Sequence, residues 1–233
     1  MGDTRGLRIG CPPRLARPVD VALLSLVLVI LPATPQLVAA QGGPPMLTDD
    51  PGTPGAGNWE INTAYTELRA NEEHLRSFPH VDFNYGLGER IQIKYETGWV
   101  FADATDGVKS GLDNSLLGLK WRFLDQERAG LNMSVYPQLQ AENNTSSVAR
   151  GLTQPGPNLF LPVELSHEFG KLTVVGEVGY QYFRTEDDGW VVGVLGAVQA
   201  TDALELMAEV RSFSPKFLNR GDVVFNVGLR QTL

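Results

Sequence analysis

Cysteine and histidine are almost absent from this 233-residue chain, which has one cysteine, Cys11, and three histidines. A single cysteine cannot form a disulfide within the chain. Thiolate and imidazole metal sites need several cysteines or histidines at close spacing, whereas His74, His80 and His167 are scattered. We therefore expect no cofactor and no metal.

Long apolar runs are also scarce, and the clearest one lies near the N-terminus. Residues 21–31 (VALLSLVLVIL) are apolar except for Ser25, and Val38-Ala39-Ala40 follows at a short distance. Four arginines precede the run, namely Arg5, Arg8, Arg14 and Arg17. A basic segment, a short apolar segment and small residues in this order predict a signal peptide over residues 1–40. The run is too short to cross roughly 30 Å of hydrocarbon as a helix.

Cleavage after Ala40 would leave a chain without cysteine. The removed residues hold four Arg and two Asp, so the formal net charge would change from −8 to −10. An acidic balance of this kind argues against nucleic acid as a partner. No second long apolar run follows, so the pattern excludes a helical membrane protein.

Residues 41–57 (QGGPPMLTDDPGTPGAG) are rich in proline and glycine, which disfavour regular structure. We interpret them as an extended leader. From residue 58 to 233 the chain alternates apolar and polar residues in ten runs, separated by turn-forming residues. Period-two alternation predicts strands, with residues 190–200 apolar on both faces. Short connections between the strands alternate with longer ones, such as residues 102–111, and the connection at residues 70–75 is of intermediate length.

This pattern predicts an all-β fold, namely a transmembrane antiparallel up-and-down β-barrel of about ten strands. Eight or twelve strands remain open, because Pro137 and Pro162 lie inside two of the runs. Proline cannot donate to a strand ladder, so these runs need a bulge or a shorter pairing. The alternative is a soluble periplasmic β-protein, which would bury the apolar faces instead.

Aromatic residues favour the membrane barrel, since they recur near the ends of the runs at two levels. Rings at such places are typical of the girdles that rest at the lipid–water boundary. Those at the short-turn ends are Trp59, Tyr85, Trp121 and Phe123, and those at the long-loop ends are Tyr65, Trp99, Tyr182 and Trp190. In addition, the large apolar side chains of ten strands would overfill a small barrel interior.

The polar faces of the runs carry acids and bases in nearly equal number, and a membrane barrel would turn them inward. The expected lumen-lining residues are Glu60, Asp82, Arg90, Lys94, Glu96, Lys120, Arg122, Glu164, Glu177, Glu205, Glu209, Arg211 and Arg230. Because unpaired buried charge is costly, one interpretation is an ion-paired interior that only holds the barrel together. The other is a polar path whose charged rings select solutes.

An enzymatic function is not expected. An outer-membrane lipid hydrolase needs a serine activated by a histidine on the same strand face, and therefore the spacing His-x-Ser. That spacing does not occur in the chain. Ser166 and His167 are adjacent, which would place them on opposite faces of a strand.

The segment from residue 43 to 62 (GPPMLTDDPGTPGAGNWEIN) resembles the opening of a bacterial barrel family named for the MetA pathway of phenol degradation. The matching residues are Pro44-Pro45, Thr48-Asp49-Asp50-Pro51 and Gly57-Asn58-Trp59-Glu60. The resemblance implies an outer-membrane location and a role in the uptake of small compounds, aromatic ones included. The final residue departs from the usual barrel pattern, because it is Leu233 where an aromatic residue is common.

We therefore expect a Gram-negative outer-membrane protein, exported through a cleaved signal peptide. Its partners would be outer-membrane lipid, the barrel-insertion machinery and small-molecule solutes. The favoured function is a narrow channel or uptake protein for small molecules, hydrophobic ones included. The alternative is a non-conducting structural or adhesive barrel with an ion-paired interior.

Overall fold

The computed structural model describes residues 22–29, 46–70, 73–104, 107–217 and 221–232, which form an all-β fold. Its elements are β1 (Ala22–Val29), β2 (Trp59–Ala70), β3 (Glu73–Gly86), β4 (Ile91–Ala104), β5 (Gly107–Leu112), β6 (Ser115–Leu124), α1 (Gln126–Ala129), β7 (Asn132–Val135), β8 (Gln138–Ala141), α2 (Thr145–Ala149), β9 (Asn158–Phe169), β10 (Leu172–Tyr182), β11 (Gly189–Thr201), β12 (Leu204–Ser214) and β13 (Asp222–Gln231). All the strands belong to one antiparallel sheet.

The strands follow the up-and-down order that the alternation predicts. From β2 onward, each strand position of the sheet pairs with the next along the chain, and β7 and β8 share one position. The ten predicted runs therefore correspond to ten successive positions from β2 to β13, with β5 as an addition beside β4. Among the described strands, β13 pairs with β12 alone, whereas β1 pairs along the other edge of β2.

The two prolines inside predicted strands meet at the same level of the sheet. The pairing of β7 and β8 with β9 keeps one register on both sides of Tyr136-Pro137, which places Tyr136 opposite Pro162. The N–H of Tyr136 donates to the carbonyl of Pro162 at 3.2 Å, and the N–H of Leu119 donates to that of Pro137 at 3.0 Å. The two backbone nitrogens that cannot donate, those of Pro137 and Pro162, thus fall in one short interruption of the ladder. The pairing with β9 keeps the same register on both sides of it.

Two strands are longer than predicted. The connection expected at residues 70–75 is mostly strand, since β3 begins at Glu73. The loop expected at residues 102–111 contains the end of β4 and all of β5 except its last residue, Leu112. The reason is cross-strand pairing between charged side chains. Arg76 bonds Asp103 at 2.5 Å, and His74 lies 2.6 Å from both Glu67 and Asp103. These pairs extend the ladder where the apolar alternation has already ended.

The sheet exposes its apolar face and buries its polar face. Ile93 and Leu119 are 42% and 50% exposed, whereas Lys120 and Glu177 are 2% and 1% exposed. No second layer of strands or helices in the described part of the chain covers the polar face. The polar face is therefore buried because the sheet curves around its own polar side chains and around residues 46–58, which lie within the curve.

The predicted signal peptide falls largely outside the described residues, which omit 1–21 and 30–45. Its apolar stretch is described in part, as strand β1, in register with β2 from Ala22 opposite Arg69 to Val29 opposite Asn62. Cleavage after Ala40 stays a prediction.

A glycine allows the curved sheet to bury a tyrosine. Tyr136 is fully buried and points inward beside Gly118 of β6. A Cβ on Gly118 would lie 2.8 Å from Tyr136 Cε2 and 3.2 Å from Lys94 Cβ. Any larger residue would therefore displace the ring or the lysine.

We predict that Gly118→Val lowers the free energy of unfolding by about 1–3 kcal/mol, the usual cost of overpacking. Gly196→Val is the matched control, because a Cβ on this β11 glycine meets nothing within 4 Å. Urea titrations of both variants in phospholipid vesicles measure the difference. Equal stabilities would show that the space beside Tyr136 is not tight.

Candidate functional site

The described part of the predicted leader lies inside the curved sheet. Residues 46–58, here called the leader segment, contain neither helix nor strand. Thr48 and Pro51 are fully buried, and Asp50 is 5% exposed. Farther along, Thr53 Oγ1 donates to the carbonyl of Glu89 at 2.9 Å, in the β3–β4 turn. The leader segment therefore runs from the middle of the interior to the short-turn rim, where β2 begins.

Glu209 of β12 holds the start of the leader segment. Its carboxylate accepts hydrogen bonds from the backbone N–H groups of Leu47 at 2.8 Å and Thr48 at 2.7 Å, and from Asn226 Nδ2 at 2.7 Å. The alternation of β12 turns Glu209 inward, where it is 3% exposed. A carboxylate that accepts three N–H bonds is well satisfied, so this contact positions the leader backbone without an ion pair.

Lys120 of β6 holds the next two residues from the opposite side. Its Nζ lies 3.0 Å from Asp49 Oδ1 and 3.4 Å from Glu164 Oε2, and it also donates to the carbonyl of Asp50. The ammonium sits 4.5 Å from the centre of the Tyr136 ring. β6 and β12 are five positions apart in the sheet. Both can reach the leader segment only because the sheet wraps around it.

Two pairs of acids face each other across neighbouring strands. Asp82 of β3 is opposite Glu96 of β4, and Glu164 of β9 is opposite Glu177 of β10. Like charges in directly opposite positions repel each other. Each pair therefore needs cations close by to be stable in the interior.

Lys94 bridges the first acidic pair. Its Nζ lies 2.8 Å from Glu96 Oε2 and 3.4 Å from Asp82 Oδ2. His80 Nε2 lies 2.9 Å from the other oxygen of Glu96. These four side chains form one compact network on β3 and β4.

Different cations serve the two members of the second acidic pair. Arg211 of β12 binds Glu177 Oε1 through Nε at 3.2 Å and Nη2 at 3.1 Å, while Lys120 approaches Glu164. The backbone of Asp49 also lies beside Glu177 and interacts favourably with its carboxylate. The leader segment thus takes part in neutralising this pair.

The other residues predicted to line the interior lie nearer its rims. Arg230 binds Glu205 at 2.9 Å, and Glu60 accepts a hydrogen bond from Asn62 at 3.0 Å. At the short-turn rim, Arg90 and Arg122 both pair with one acid. That acid is Asp125, which follows β6 directly.

The predicted aromatic residues lie on the outer face, where several rings contact each other. Near the short-turn ends, the rings of Trp59 and Tyr85 contact each other in a tilted arrangement with centroids 4.7 Å apart, and so do those of Trp121 and Phe123 at 5.7 Å. Tyr180 connects Tyr182 and Trp190 near the long-loop ends, with centroids 4.6 and 5.2 Å away.

Two of the aromatic residues predicted at the long-loop ends are placed differently from the prediction. Tyr65 and Trp99 face outward, but each lies five residues before the end of its strand. The cause is that the charged pairs described above, on β2, β3 and β4, continue the ladder beyond these two rings.

The interior also contains an apolar cluster that the alternation did not indicate. It is formed by Met46, Val175, Leu195, Ala197 and Met207. β11 had been expected to be apolar on both faces, and its inward residues pack here on the start of the leader segment.

A cavity of about 390 Å³ lies between the leader segment and the long-loop end. Charged residues of both networks, several amide side chains and two phenylalanines line it. They include Asp82, Lys94, Glu177, Arg211, Gln138, Gln140, Asn158, Gln181, Phe160 and Phe183. The amides and the leader residues were not predicted as site residues, because nothing in their spacing distinguishes them from ordinary inward polar positions.

No family model matches this chain, and no curated protein is similar to it. The resemblance of residues 43–62 to a barrel family therefore stays a prediction. Neither of the two short helices in the described part of the chain has the length or apolar content to cross a membrane. Within the same residues, His, Asp and Glu do not gather into a group that could hold a metal ion.

The two neighbouring aspartates of the leader segment have opposite pKa shifts. Burial raises the pKa of Asp50 to about 6, against the attraction of Lys120, and the charge of Asp49 adds to the rise. Burial also acts on Asp49, but Lys120 and Lys94 outweigh it and lower the pKa of that carboxyl below 3.8. Asp50 Oδ2 is buried without a hydrogen-bond partner in the described part of the chain, which fits a protonated group.

The raised pKa of Asp50 predicts that a lower pH stabilises the leader segment in its position inside the curved sheet, here called the seated state. A carboxyl with a raised pKa in the seated state takes up a proton on seating, so seating strengthens as the pH falls from above 6 towards 3.8. Asp49, with its lowered pKa, weakens seating only at still lower pH. For Asp50 alone, linkage gives a change of about tenfold in the seating equilibrium between about pH 8 and 5.

Maleimide labelling of Thr48→Cys measures this change, since residue 48 is fully buried when seated and the chain from residue 41 has no other cysteine. The rate is divided by that of Ala56→Cys, an exposed position of the same segment. We expect the ratio to fall about tenfold towards about pH 5 and to become nearly constant in Asp50→Asn. A ratio that rises with acid, or an unchanged pH dependence in Asp50→Asn, would contradict the prediction.

Proposed function

We propose that this chain is an outer-membrane β-barrel that admits small molecules to its interior as a narrow channel or uptake protein. The observation that supports it best is the inverted polarity of the sheet. Leu119 and its outward neighbours, such as Ile93, Leu117 and Val163, are 38% to 50% exposed, whereas the ionic groups lie inside. In water, an apolar surface of this extent would be a liability, but in lipid it is the face that a barrel needs.

The proposal includes cleavage of a signal peptide and closure of the sheet. β1 belongs to the segment that cleavage after Ala40 would remove, and it covers the edge of β2. The outer edge of β13 has no partner strand in the described residues, and Val227 on it is 87% exposed. Loss of β1 would leave two free edges at the ends of a ten-position sheet, and pairing β2 with β13 would close the barrel. Closure satisfies the backbone groups that lipid cannot.

Hydrogen exchange can test closure by comparing residues 1–233 with residues 41–233, both in phospholipid vesicles. We expect the outer-edge amides of β13 to exchange slowly only in the shorter chain, because β1 blocks β2 in the longer one. Amides on the β12 side of β13 serve as the internal control and should be slow in both. Equally fast exchange of the outer-edge amides in both chains would argue against closure.

Leu119→Arg tests whether the outer face contacts lipid. Leu119 lies at the middle of β6, so an arginine there would sit near the bilayer centre and lower the free energy of unfolding by about 2–4 kcal/mol. Leu87→Arg is the control, because Leu87 is 56% exposed in a short turn, where the cost should be about 0–1 kcal/mol. Urea unfolding in vesicles gives both values. If both variants differ from the parent by less than about 0.5 kcal/mol, the face is an ordinary wet surface.

The leader segment favours a second candidate, a structural barrel that conducts nothing. It occupies the interior together with the ion pairs, and about ten strands leave little open lumen. The cavity beside it supports the uptake function instead, since it offers space for a solute on the long-loop side. Passage through the barrel would then require the leader segment to move.

Vesicle swelling separates the two candidates. A Cβ on Gly193 would lie 2.5 Å from Thr48 Oγ1, so Gly193→Val should displace the leader segment, whereas Gly196→Val in the same strand meets open space. We expect slow entry of small neutral solutes with the chain from residue 41, faster entry with Gly193→Val and unchanged entry with Gly196→Val. No entry through either the parent chain or Gly193→Val would establish the non-conducting barrel.

The corresponding partners are outer-membrane lipid, the insertion machinery and small solutes, in a Gram-negative envelope.

An enzymatic role has no support from the histidines. His80 bonds Glu96, His74 lies between Glu67 and Asp103, and His167 Nδ1 is 2.6 Å from the carbonyl of Gly130. None of these rings contacts a serine or threonine hydroxyl among the hydrogen bonds of the described residues.

A further inference from the structure

The interior cavity has the size of a ligand site and is closed on one side by the leader segment. Its volume of about 390 Å³ lies within the range of small-molecule pockets, roughly 300–1,000 Å³. Met46, Leu47 and Asp49 form part of its wall. Gln140, Asn158 and Phe183 also line it and lie at the long-loop ends of β8, β9 and β10, so the cavity extends towards the long loops. A molecule that enters from that side would stop at the leader segment.

The charged side chains of the cavity are already matched with each other. Lys94 bridges Asp82 and Glu96, Arg211 binds Glu177, and Asp49 pairs with Lys120. A charged ligand would have to displace one of these partners and leave the displaced group unpaired in a buried place, which costs several kcal/mol. The ionic groups therefore disfavour a charged occupant.

Neutral polar groups of the cavity are the ones that remain available. Gln138, Gln181 and Thr66 are half-buried, line the cavity and make no side-chain hydrogen bond within the described residues. Each of them can both donate and accept a hydrogen bond. Hydroxyl groups of a ligand also donate and accept, so they match these three side chains in either direction.

Two phenylalanines give the cavity an apolar wall beside the amides. Phe160 of β9 is 7% exposed, and the guanidinium of Arg211 lies 5.7 Å from its ring centre. Phe183 contacts Phe213 edge to face at 5.9 Å. A ligand with one C–H face and several hydroxyl groups could bind to this wall and to the amides at the same time.

We propose that the cavity binds a small, uncharged, polyhydroxylated molecule of about monosaccharide size. Gln138, Gln181 and Thr66 would bind its hydroxyl groups, and Phe160 and Phe183 would contact its apolar face. This inference rests on the proposed function, because it names the class of solute that the uptake barrel would accept.

Calorimetric titration of purified residues 41–233, in a detergent without a sugar headgroup, tests the inference. The probes are glucose, glucosamine and glucuronate, which share one ring and differ in charge. At about pH 6.5 the amine is protonated and the acid is ionised. We expect glucose to bind with a Kd in the millimolar range or tighter, and each charged analogue to bind at least about tenfold more weakly, the factor expected for about 1.4 kcal/mol.

Gln138→Leu and Gln181→Leu should each weaken glucose binding by about tenfold, as loss of one well-placed hydrogen bond predicts. Gln231→Leu, at an exposed position near the end of β13, is the matched control and should bind like the parent chain. No binding of glucose, equal or tighter binding of a charged analogue, or parent-like binding by both cavity variants would overturn the inference.

The titration needs no membrane, so its result is independent of vesicle swelling. A chain that binds glucose but admits no solute would disprove uptake and leave the binding site. A chain that admits solutes without binding glucose would disprove the site and leave uptake.

Discussion

The ionic groups on the inner face of the sheet must neutralise one another, because little water reaches them and unpaired buried charge is costly. Two acidic pairs, Asp82 with Glu96 and Glu164 with Glu177, occupy opposite positions on neighbouring strands. Lys94 lies between the members of the first pair, while Arg211 and Lys120 each approach one member of the second. These contacts join strands that are one or two positions apart, and the leader segment links the more distant β6 and β12 through Lys120 and Glu209. The curvature of the fold and the charge balance therefore depend on each other.

The leader segment is part of that balance. Asp49 gives Lys120 a partner, and its backbone lies beside the Glu177 carboxylate. Glu209 in turn accepts two backbone N–H groups of the segment. The segment thus divides the interior, with ion pairs and the Met46 cluster around it and a cavity beyond it. Under the proposed function, a solute can enter the cavity from the long-loop side. It can pass through the barrel only when the leader segment moves.

The strand positions and their order could be predicted from the sequence, and the structure confirms an antiparallel up-and-down sheet. Period-two alternation was sufficient because side chains of a strand point to opposite faces regardless of the rest of the fold. The lengths of β3 and β4 were underestimated and β5 was not predicted, since bonds such as Arg76 to Asp103 join residues of separate strands. Such cross-strand bonds leave no periodic signal along the chain.

By itself, the sequence determined which side chains share a face, as with Ile91, Ile93 and Tyr95 against Gln92, Lys94 and Glu96. Only the tertiary structure decided which face is buried, because alternation is symmetric between a soluble and a membrane sheet. It also decided where the leader segment lies and which amides surround the cavity. Those features depend on contacts between residues as distant as Thr48 and Glu209, which form only when the sheet curves.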